Sequence, residues 1–130
     1  MSKNVLFKTP LFSSAQGNSV MTGTSVLTSP NINIKFLDNE GVQLHFTGTP
    51  TGTFQVQVSN DHDESDAGNV IAVGNWVSVV LNPAPVAAGA LGDIYIDLNQ
   101  LSAMWIRVVY TNSSGVGVLT GFIAAKAVGG

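Results

Sequence analysis

Alternating apolar and polar residues mark several short segments of this chain as half-buried β-strands. In the segment 53–59, Phe54, Val56 and Val58 fall on one face and glutamines fall on the other. The same two-residue period occurs in 32–36, 42–46 and 94–98. The inward faces of these strands and of a further apolar segment predict a core built from Phe36, Leu44, Phe46, Phe54, Val56, Val58, Ile94, Ile96, Ile106 and Val108.

Two further segments, 76–81 and 105–111, are more continuously apolar and rich in β-branched residues, a pattern typical of strands covered on both faces. Clusters of Gly, Pro, Asn and Ser separate the predicted strands. Strands at this spacing predict an all-β fold, a jelly-roll-like antiparallel β-sandwich of about eight strands. Almost no helix is predicted, since only 98–104 is suited to a single helical turn.

The first part of the chain, residues 1–28, has a weaker pattern because Ser, Thr, Gly and Asn interrupt its apolar residues. Only 25–28 has the pattern of a strand. The segment therefore has two interpretations: an N-terminal arm that docks on a partner, or the first strands of the sandwich. The remaining residues, 29–130, are predicted to form the β-sandwich domain.

Composition supports a single folded domain. The chain has 130 residues, of which 45% are apolar and 10% are charged, and it has no cysteine. Its size allows one domain with a core that needs no disulfide or metal. A typical domain carries about 25% charged residues, so the low charge favours a surface that is buried in a permanent assembly.

Charge and hydropathy also narrow the classes of partner. Five basic residues against eight acidic ones give a net charge of −3, and the basic residues form no run, so we expect no nucleic-acid partner. No apolar run reaches the ~20 residues needed to cross a bilayer, and the N-terminal residues lack the apolar stretch of a signal peptide. We therefore expect no membrane association, and synthesis in a cytoplasm.

Motifs for catalysis are missing from the sequence. The two histidines, His45 and His62, stand near no recognised nucleophile motif, and the glycine-rich segment 115–121 does not fit a dinucleotide site. His45 is predicted to be an exposed strand residue. We predict that the chain is not an enzyme, needs no cofactor, and has no catalytic, cofactor-binding or metal-binding residues.

One acidic cluster, the segment 61–66, holds half of the acidic residues of the chain. Carboxylates are the ligands that Ca²⁺ prefers, but their order here does not match an EF-hand loop. Charge runs on loops are usually solvated. The favoured interpretation of the cluster is a solvated hairpin tip.

Three large side chains outside this cluster are candidates for binding or pairing. Trp76 and Trp105 have the chemistry to stack on sugars, although their apolar surroundings favour burial in the core. Arg107, the only arginine, lies on an otherwise apolar strand and shares a face with Trp105. It is predicted to pair with a carboxylate, either Asp61 or Asp93.

The sequence resembles small virion proteins of tailed bacteriophages in three stretches and two single residues: FTGTPTGTF at 46–54, VQVSND at 56–61, Trp76, WIRVVYTNSSGVG at 105–117, and Lys126 near the end. The resemblance covers roughly residues 25–127. It implies a β-sandwich without catalysis that decorates or cements a capsid, or forms part of a head, tail or fibre. It also implies a location in the virion and partners that include the major capsid protein and copies of this chain, with a trimer expected by analogy.

A second resemblance, to discoidin-type carbohydrate-binding domains, rests on the residues 59–61, Trp76 and 105–107. It implies the same sandwich with a carbohydrate ligand. The cysteine pair usual in that family is missing here, and the chain is shorter. The sequence therefore predicts a phage structural subunit that forms a homo-oligomer, with a carbohydrate-binding module as the alternative.

Overall fold

The computed structural model describes residues 4–35, 37, 39–81, 85–88, 92–99 and 101–128. Within these ranges the chain forms thirteen β-strands and one short 3-10 helix at Ser14–Gln16. The strands are β1 (Asn4–Phe12), β2 (Val20–Met21), β3 (Val26–Thr28), β4 (Ile32–Asn33), β5 (Asn39–Gly48), β6 (Thr51–Ser59), β7 (Asp63–Glu64), β8 (Val70–Ala72), β9 (Val77–Ser78), β10 (Val86–Ala88), β11 (Asp93–Asn99), β12 (Trp105–Ser114) and β13 (Gly117–Val128).

The predicted all-β antiparallel sandwich is confirmed, but the predicted number of strands was too low. Six of the described strands have seven residues or more, and the other seven have only two or three. Such short strands span about one period of the alternation, so the sequence pattern does not reveal them. The predicted helical turn at 98–104 is wrong for its described residues, because β11 continues to Asn99 and 101–104 are irregular.

Two main sheets form the sandwich. The first sheet has the order β1-β13-β5-β11, with β2 paired to β13. The second sheet has the order β10-β6-β12-β3, with β4 paired to β12 and β9 paired to β6. All of these pairs are antiparallel, and β7 and β8 form a separate two-stranded ribbon.

The core lies between the inward faces of the two sheets. Seven of the ten residues predicted for it are buried there, namely Leu44, Phe46, Phe54, Val56, Ile96, Ile106 and Val108. Val58 and Ile94 are half-buried against the same core, and Phe36 lies outside the described residues. The two-residue period places these side chains together because alternate residues of a strand point to the same face.

Residues 4–28 contribute β1, β2 and β3 to the two sheets. The strand β1 pairs with β13 along its whole length, from Asn4 opposite Val128 to Phe12 opposite Gly121. The register shifts between Pro10 and Phe12, which is a β-bulge. Leu11 and Phe12 are both fully buried in the core, an arrangement that regular alternation does not allow.

The segment 76–81 differs from its prediction as a strand covered on both faces. Only Val77–Ser78 forms a strand, at the edge of the second sheet beside β6. The side chain of Val77 is exposed, and that of Val80 is 93% exposed. This part of the prediction is wrong because an apolar run by itself does not distinguish a central strand from an apolar edge.

Candidate functional site

A group of interacting polar and aromatic side chains lies where the chain leaves the second sheet after β6 and returns at β9. We call residues 60–76 the excursion. Ser59, the last residue of β6, stabilises its first turn. The Ser59 Oγ accepts hydrogen bonds from the backbone N–H groups of Asp61 (3.4 Å) and His62 (3.0 Å). At its other end Gly74 has a φ of 68°, and a Cβ there would lie 2.4 Å from the His62 nitrogen. Only glycine allows the two ends to approach this closely.

His62 is the centre of the group and is only 4% exposed. Its Nδ1 lies 2.8 Å from the carbonyl oxygen of Val73, and its Nε2 lies 2.7 Å from the Oε2 of Glu64. The hydrogen bond with Glu64 raises the pKa of His62, and this effect exceeds the opposing effect of burial. The imidazole is therefore held by both ends of the excursion.

Glu64 is the acidic partner of this histidine. Its Oε2 also accepts a hydrogen bond from the Nδ2 of Asn31 at 3.0 Å. The hydrogen bonds from His62 and Asn31 lower the pKa of Glu64. Asn31 precedes β4 in the sequence, so this carboxylate joins the excursion to a segment that lies 33 residues away in sequence.

Two tryptophans contact the His62 ring. The ring centroid of Trp76 lies 5.2 Å from that of His62, and the centroid of Trp105 lies 5.1 Å away in an edge-on arrangement. Cations lie over the two indoles: the Arg107 guanidinium is 4.3 Å from the Trp76 centroid, and the Lys35 ammonium is 5.5 Å from the Trp105 centroid. We call these five side chains and Glu64 the outer cluster.

Trp105 is buried, as its apolar surroundings predict, but it does not belong to the core between the sheets. It is 4% exposed and lies on the outward face of β12, where the excursion covers it. Trp76 is half-buried. Because the Arg107 guanidinium lies over the Trp76 ring, it occupies a face on which a sugar would stack, which argues against the sugar-stacking interpretation.

Arg107 does not take either of its predicted partners. Its Nε donates a hydrogen bond to the Oε1 of Gln57 at 2.7 Å. Asp61 is held by Ser59 and Asn75 instead. Asp93 lies on the first sheet, where its Oδ1 is 2.8 Å from the Nδ1 of His45. The cation–π contact with Trp76 gives the guanidinium a partner that sequence spacing did not indicate.

The acidic segment 61–66 is only in part the predicted solvated tip. Hydrogen bonds from the backbone N–H and side-chain Nδ2 of Asn75, at 2.7 and 2.9 Å, lower the pKa of Asp61 to about 2. Asp63 lies 3.6 Å from Lys35, and Asp66 is exposed. Among the described residues, no group of three His, Cys, Asp or Glu side chains could hold a metal ion.

The two acidic residues Glu64 and Asp66 should respond very differently to neutralisation. Glu64→Gln removes the counter-charge of a buried imidazole, so we expect it to lower the free energy of unfolding by about 1–3 kcal/mol near pH 6. Asp66→Asn, the matched control on the exposed part of the same loop, should change it by less than about 0.5 kcal/mol. Urea denaturation of both variants measures the difference in the free energy of unfolding. Equally small effects would support the interpretation of the whole segment as a solvated hairpin tip.

A second feature of this part of the chain is a stretch without charged residues. No charged residue occurs between Asp66 and Asp93 in the sequence. The chain exposes large aliphatic side chains along this stretch, and we call them the uncharged strip: Val70, Ile71, Val73, Val77, Val80 and Val86. Exposed large aliphatic side chains at this density along a chain are candidates for an interaction site.

The fold and the outer cluster together define an antiparallel β-sandwich with a buried histidine beneath an irregular excursion. The chain is similar in structure to the SPBc2 prophage-derived protein YomS, with a TM-score of 0.56 and 9% identity, over 98% of this chain and 97% of that chain. It is also similar to a chain in the structure of infectious bursal disease virus Gx strain, with a TM-score of 0.50 and 10% identity. That match covers 97% of this chain and 32% of the other.

At these identities the similarity shows a shared fold. No protein family model matches the chain, and no curated protein matches it in sequence. In the part of the chain that the structure describes, no helix is long and apolar enough to cross a membrane.

Proposed function

We propose that this chain is a non-enzymatic structural subunit of a tailed-phage particle, most specifically a capsid decoration or cement protein or a head or tail accessory protein. It binds copies of itself and other virion proteins such as the major capsid protein, and its place is the virion. The observation that carries the proposal is the uncharged strip on a chain with only 10% charged residues.

Exposed aliphatic side chains make association favourable. Full burial of one Val or Ile contributes about 1.5–3 kcal/mol, whereas association costs an estimated 4–15 kcal/mol in lost freedom of motion. The strip contains six such side chains, and burying them in contacts with partner subunits offsets part of that cost. The similarity in fold to a prophage-derived protein and to a chain of a virus structure supports a viral setting for the contact.

Replacing an aliphatic residue of the strip by lysine should weaken self-association. We expect the unmodified protein to be a stable oligomer, with a trimer as the analogy suggests, and Val80→Lys to raise the dissociation constant by about 100-fold, because the contact would have to bury an unpaired charge. Val80 is 93% exposed, so this change has little effect on folding of the monomer. Sedimentation equilibrium measures the dissociation constant.

Val20→Lys is the matched control, since Val20 is also exposed but lies on β2 of the first sheet, outside the strip. It should change the dissociation constant by less than about threefold. A monodisperse monomer at high micromolar concentration would contradict the proposed self-association.

A further inference from the structure

The hydrogen bonds of His62 specify its protonation state. Its Nδ1 faces the Val73 carbonyl oxygen, which only accepts hydrogen bonds, so this nitrogen must carry a proton. Its Nε2 faces the Glu64 Oε2 at 2.7 Å. A proton must therefore lie between Nε2 and the carboxylate, since two lone pairs at this distance repel each other.

This second proton belongs to the imidazole. In water an imidazole has a pKa of about 6.5 and a glutamate of about 4.3, so the ring is the stronger base of the two. The Oε2 of Glu64 also accepts from Asn31, as an ionised carboxylate does. The arrangement is a buried imidazolium that donates one hydrogen bond to each end of the excursion.

The charges around the imidazolium come from each segment that packs against it. On the excursion, Glu64, Asp63 and Asp61 are acidic. Lys35 lies over Trp105 and pairs with Asp63, while Arg107 lies over Trp76, so the cations contact the indoles. The group that directly contacts the imidazolium with a full charge is the Glu64 carboxylate.

We propose that His62 is a pH-sensitive switch: as an imidazolium it holds the excursion on the outward face of the second sheet, and loss of one proton releases the excursion. A neutral ring keeps one proton for two acceptors. It therefore loses the hydrogen bond either to the Val73 carbonyl or to the Glu64 carboxylate, and either loss frees one end of the excursion from the ring. The excursion carries Val70, Ile71 and Val73 of the uncharged strip. Its release therefore changes the positions of these exposed side chains relative to the second sheet.

The direction of the pH effect follows from the two shifts. The pKa of His62 is raised in the fold, so its contribution is complete below about pH 6.5 and is lost as the pH rises through the folded value. The pKa of Glu64 is lowered, so its contribution is present above about pH 4.3 and is lost as the pH falls through its folded value. The excursion should be held most firmly between these limits and released on the alkaline side.

Tryptophan fluorescence measures the protonation of His62 directly in the unmodified protein. The chain has two tryptophans, and both contact the His62 ring. An imidazolium quenches indole emission more strongly than a neutral imidazole, so the intensity should rise with pH, with a midpoint above about 6.5. His62→Gln should remove this transition. Glu64→Gln should move its midpoint down by about one pH unit or more, because an opposite charge at this distance raises a histidine pKa by that amount.

His45→Gln is the matched control. His45 also lies 2.8 Å from a carboxylate, that of Asp93, but its side chain is 52% exposed on the other sheet. The His45→Gln variant should keep the whole fluorescence transition. A midpoint at or below about 6.5 in the unmodified protein, or a midpoint that Glu64→Gln does not lower, would overturn the protonated state.

Amide hydrogen exchange tests the release itself. At one pH unit above the fluorescence midpoint, exchange in the excursion, corrected for its intrinsic pH dependence, should be at least about tenfold faster than one unit below the midpoint. The amides of β12 should not change and serve as the internal reference. A clear titration of His62 with unchanged exchange in the excursion would show a buried ion pair that switches nothing. These measurements concern a single chain, so they succeed or fail independently of the proposed assembly.

Discussion

Phe12→Ala should lower the free energy of unfolding by about 3–5 kcal/mol, as expected for a large side chain removed from a close-packed core. Phe12 is fully buried between the sheets. It packs over Gly121 of β13, where an added Cβ would lie 3.3 Å from the Phe12 ring and 2.8 Å from Leu44. The glycine and the phenylalanine therefore fit each other, and truncation leaves a cavity that neighbouring strands cannot close.

Phe122→Ala provides the matched control. Phe122 is the next residue to Gly121, but its ring is 40% exposed, with the Lys8 ammonium 4.8 Å from its centroid. We expect this change to cost less than about 1 kcal/mol. Guanidinium denaturation of the two variants measures the contrast. Equal and small costs would contradict the core position of Phe12 and favour an N-terminal arm that contributes little to the fold.

The long central strands were predictable because their burial follows a simple period. In β5, β6, β11 and β12 the alternate residues over 42–46, 54–58, 94–98 and 106–110 are apolar and face the other sheet, and neither bulges nor partners are needed to see it. The same reasoning placed Arg107 on one face of its strand with Trp105. The core of the sandwich can therefore be predicted largely from the local sequence pattern.

The N-terminal strands were not predictable in this way. Leu11 and Phe12 are adjacent, and only the bulge after Pro10 turns both of them inward. Their pairing partner, β13, lies at the other end of the sequence. A local pattern contains no information on a partner more than 100 residues away, which is why the segment had two interpretations.

The outer cluster shows what a residue-by-residue interpretation of a charge run misses. Asp61 and Glu64 are polar residues on a loop, and loops are usually solvated. Asp61 is indeed exposed, whereas Glu64 is half-buried and accepts a hydrogen bond from Asn31, which reaches the excursion only after the sheet has formed. One indication of the cluster was present in the sequence. His62 stands within a run of carboxylates, and Trp76 and Gly74 follow it closely in the sequence, with Gly74 permitting the close return of the chain.

Asn112→Ala is the second change with a large expected effect, about 3–5 kcal/mol in the free energy of unfolding. Asn112 is only 1% exposed. Its Nδ2 donates to the carbonyl oxygens of Gly23 (2.9 Å) and Gly115 (3.1 Å), and its Oδ1 accepts from the hydroxyl of Tyr110 at 2.7 Å. Alanine leaves the buried Tyr110 hydroxyl without this partner, which costs about 1–3 kcal/mol, and it also removes two part-buried hydrogen bonds and the packing of the amide.

Ser113→Ala is the control for the loss of an exposed polar side chain at the same end of β12. The Ser113 Oγ donates to the Thr51 carbonyl at 2.9 Å, and water can replace that bond, so we expect a cost below about 1 kcal/mol. An Asn112→Ala variant that is no less stable than Ser113→Ala would contradict the buried network.

A double-mutant cycle with Tyr110→Phe separates the network from simple packing. Tyr110 is fully buried, and its ring packs 4.6 Å from Phe54, which the phenylalanine variant retains. In the unmodified chain, Tyr110→Phe removes one hydrogen bond to Asn112; in the Asn112→Ala background it removes a hydroxyl that no longer has that partner. The second change should therefore be less destabilising than the first by about 1 kcal/mol or more. Strict additivity would show that the hydrogen bond between Tyr110 and Asn112 contributes nothing to stability, and Asn112 would then act through its packing and its bonds to Gly23 and Gly115.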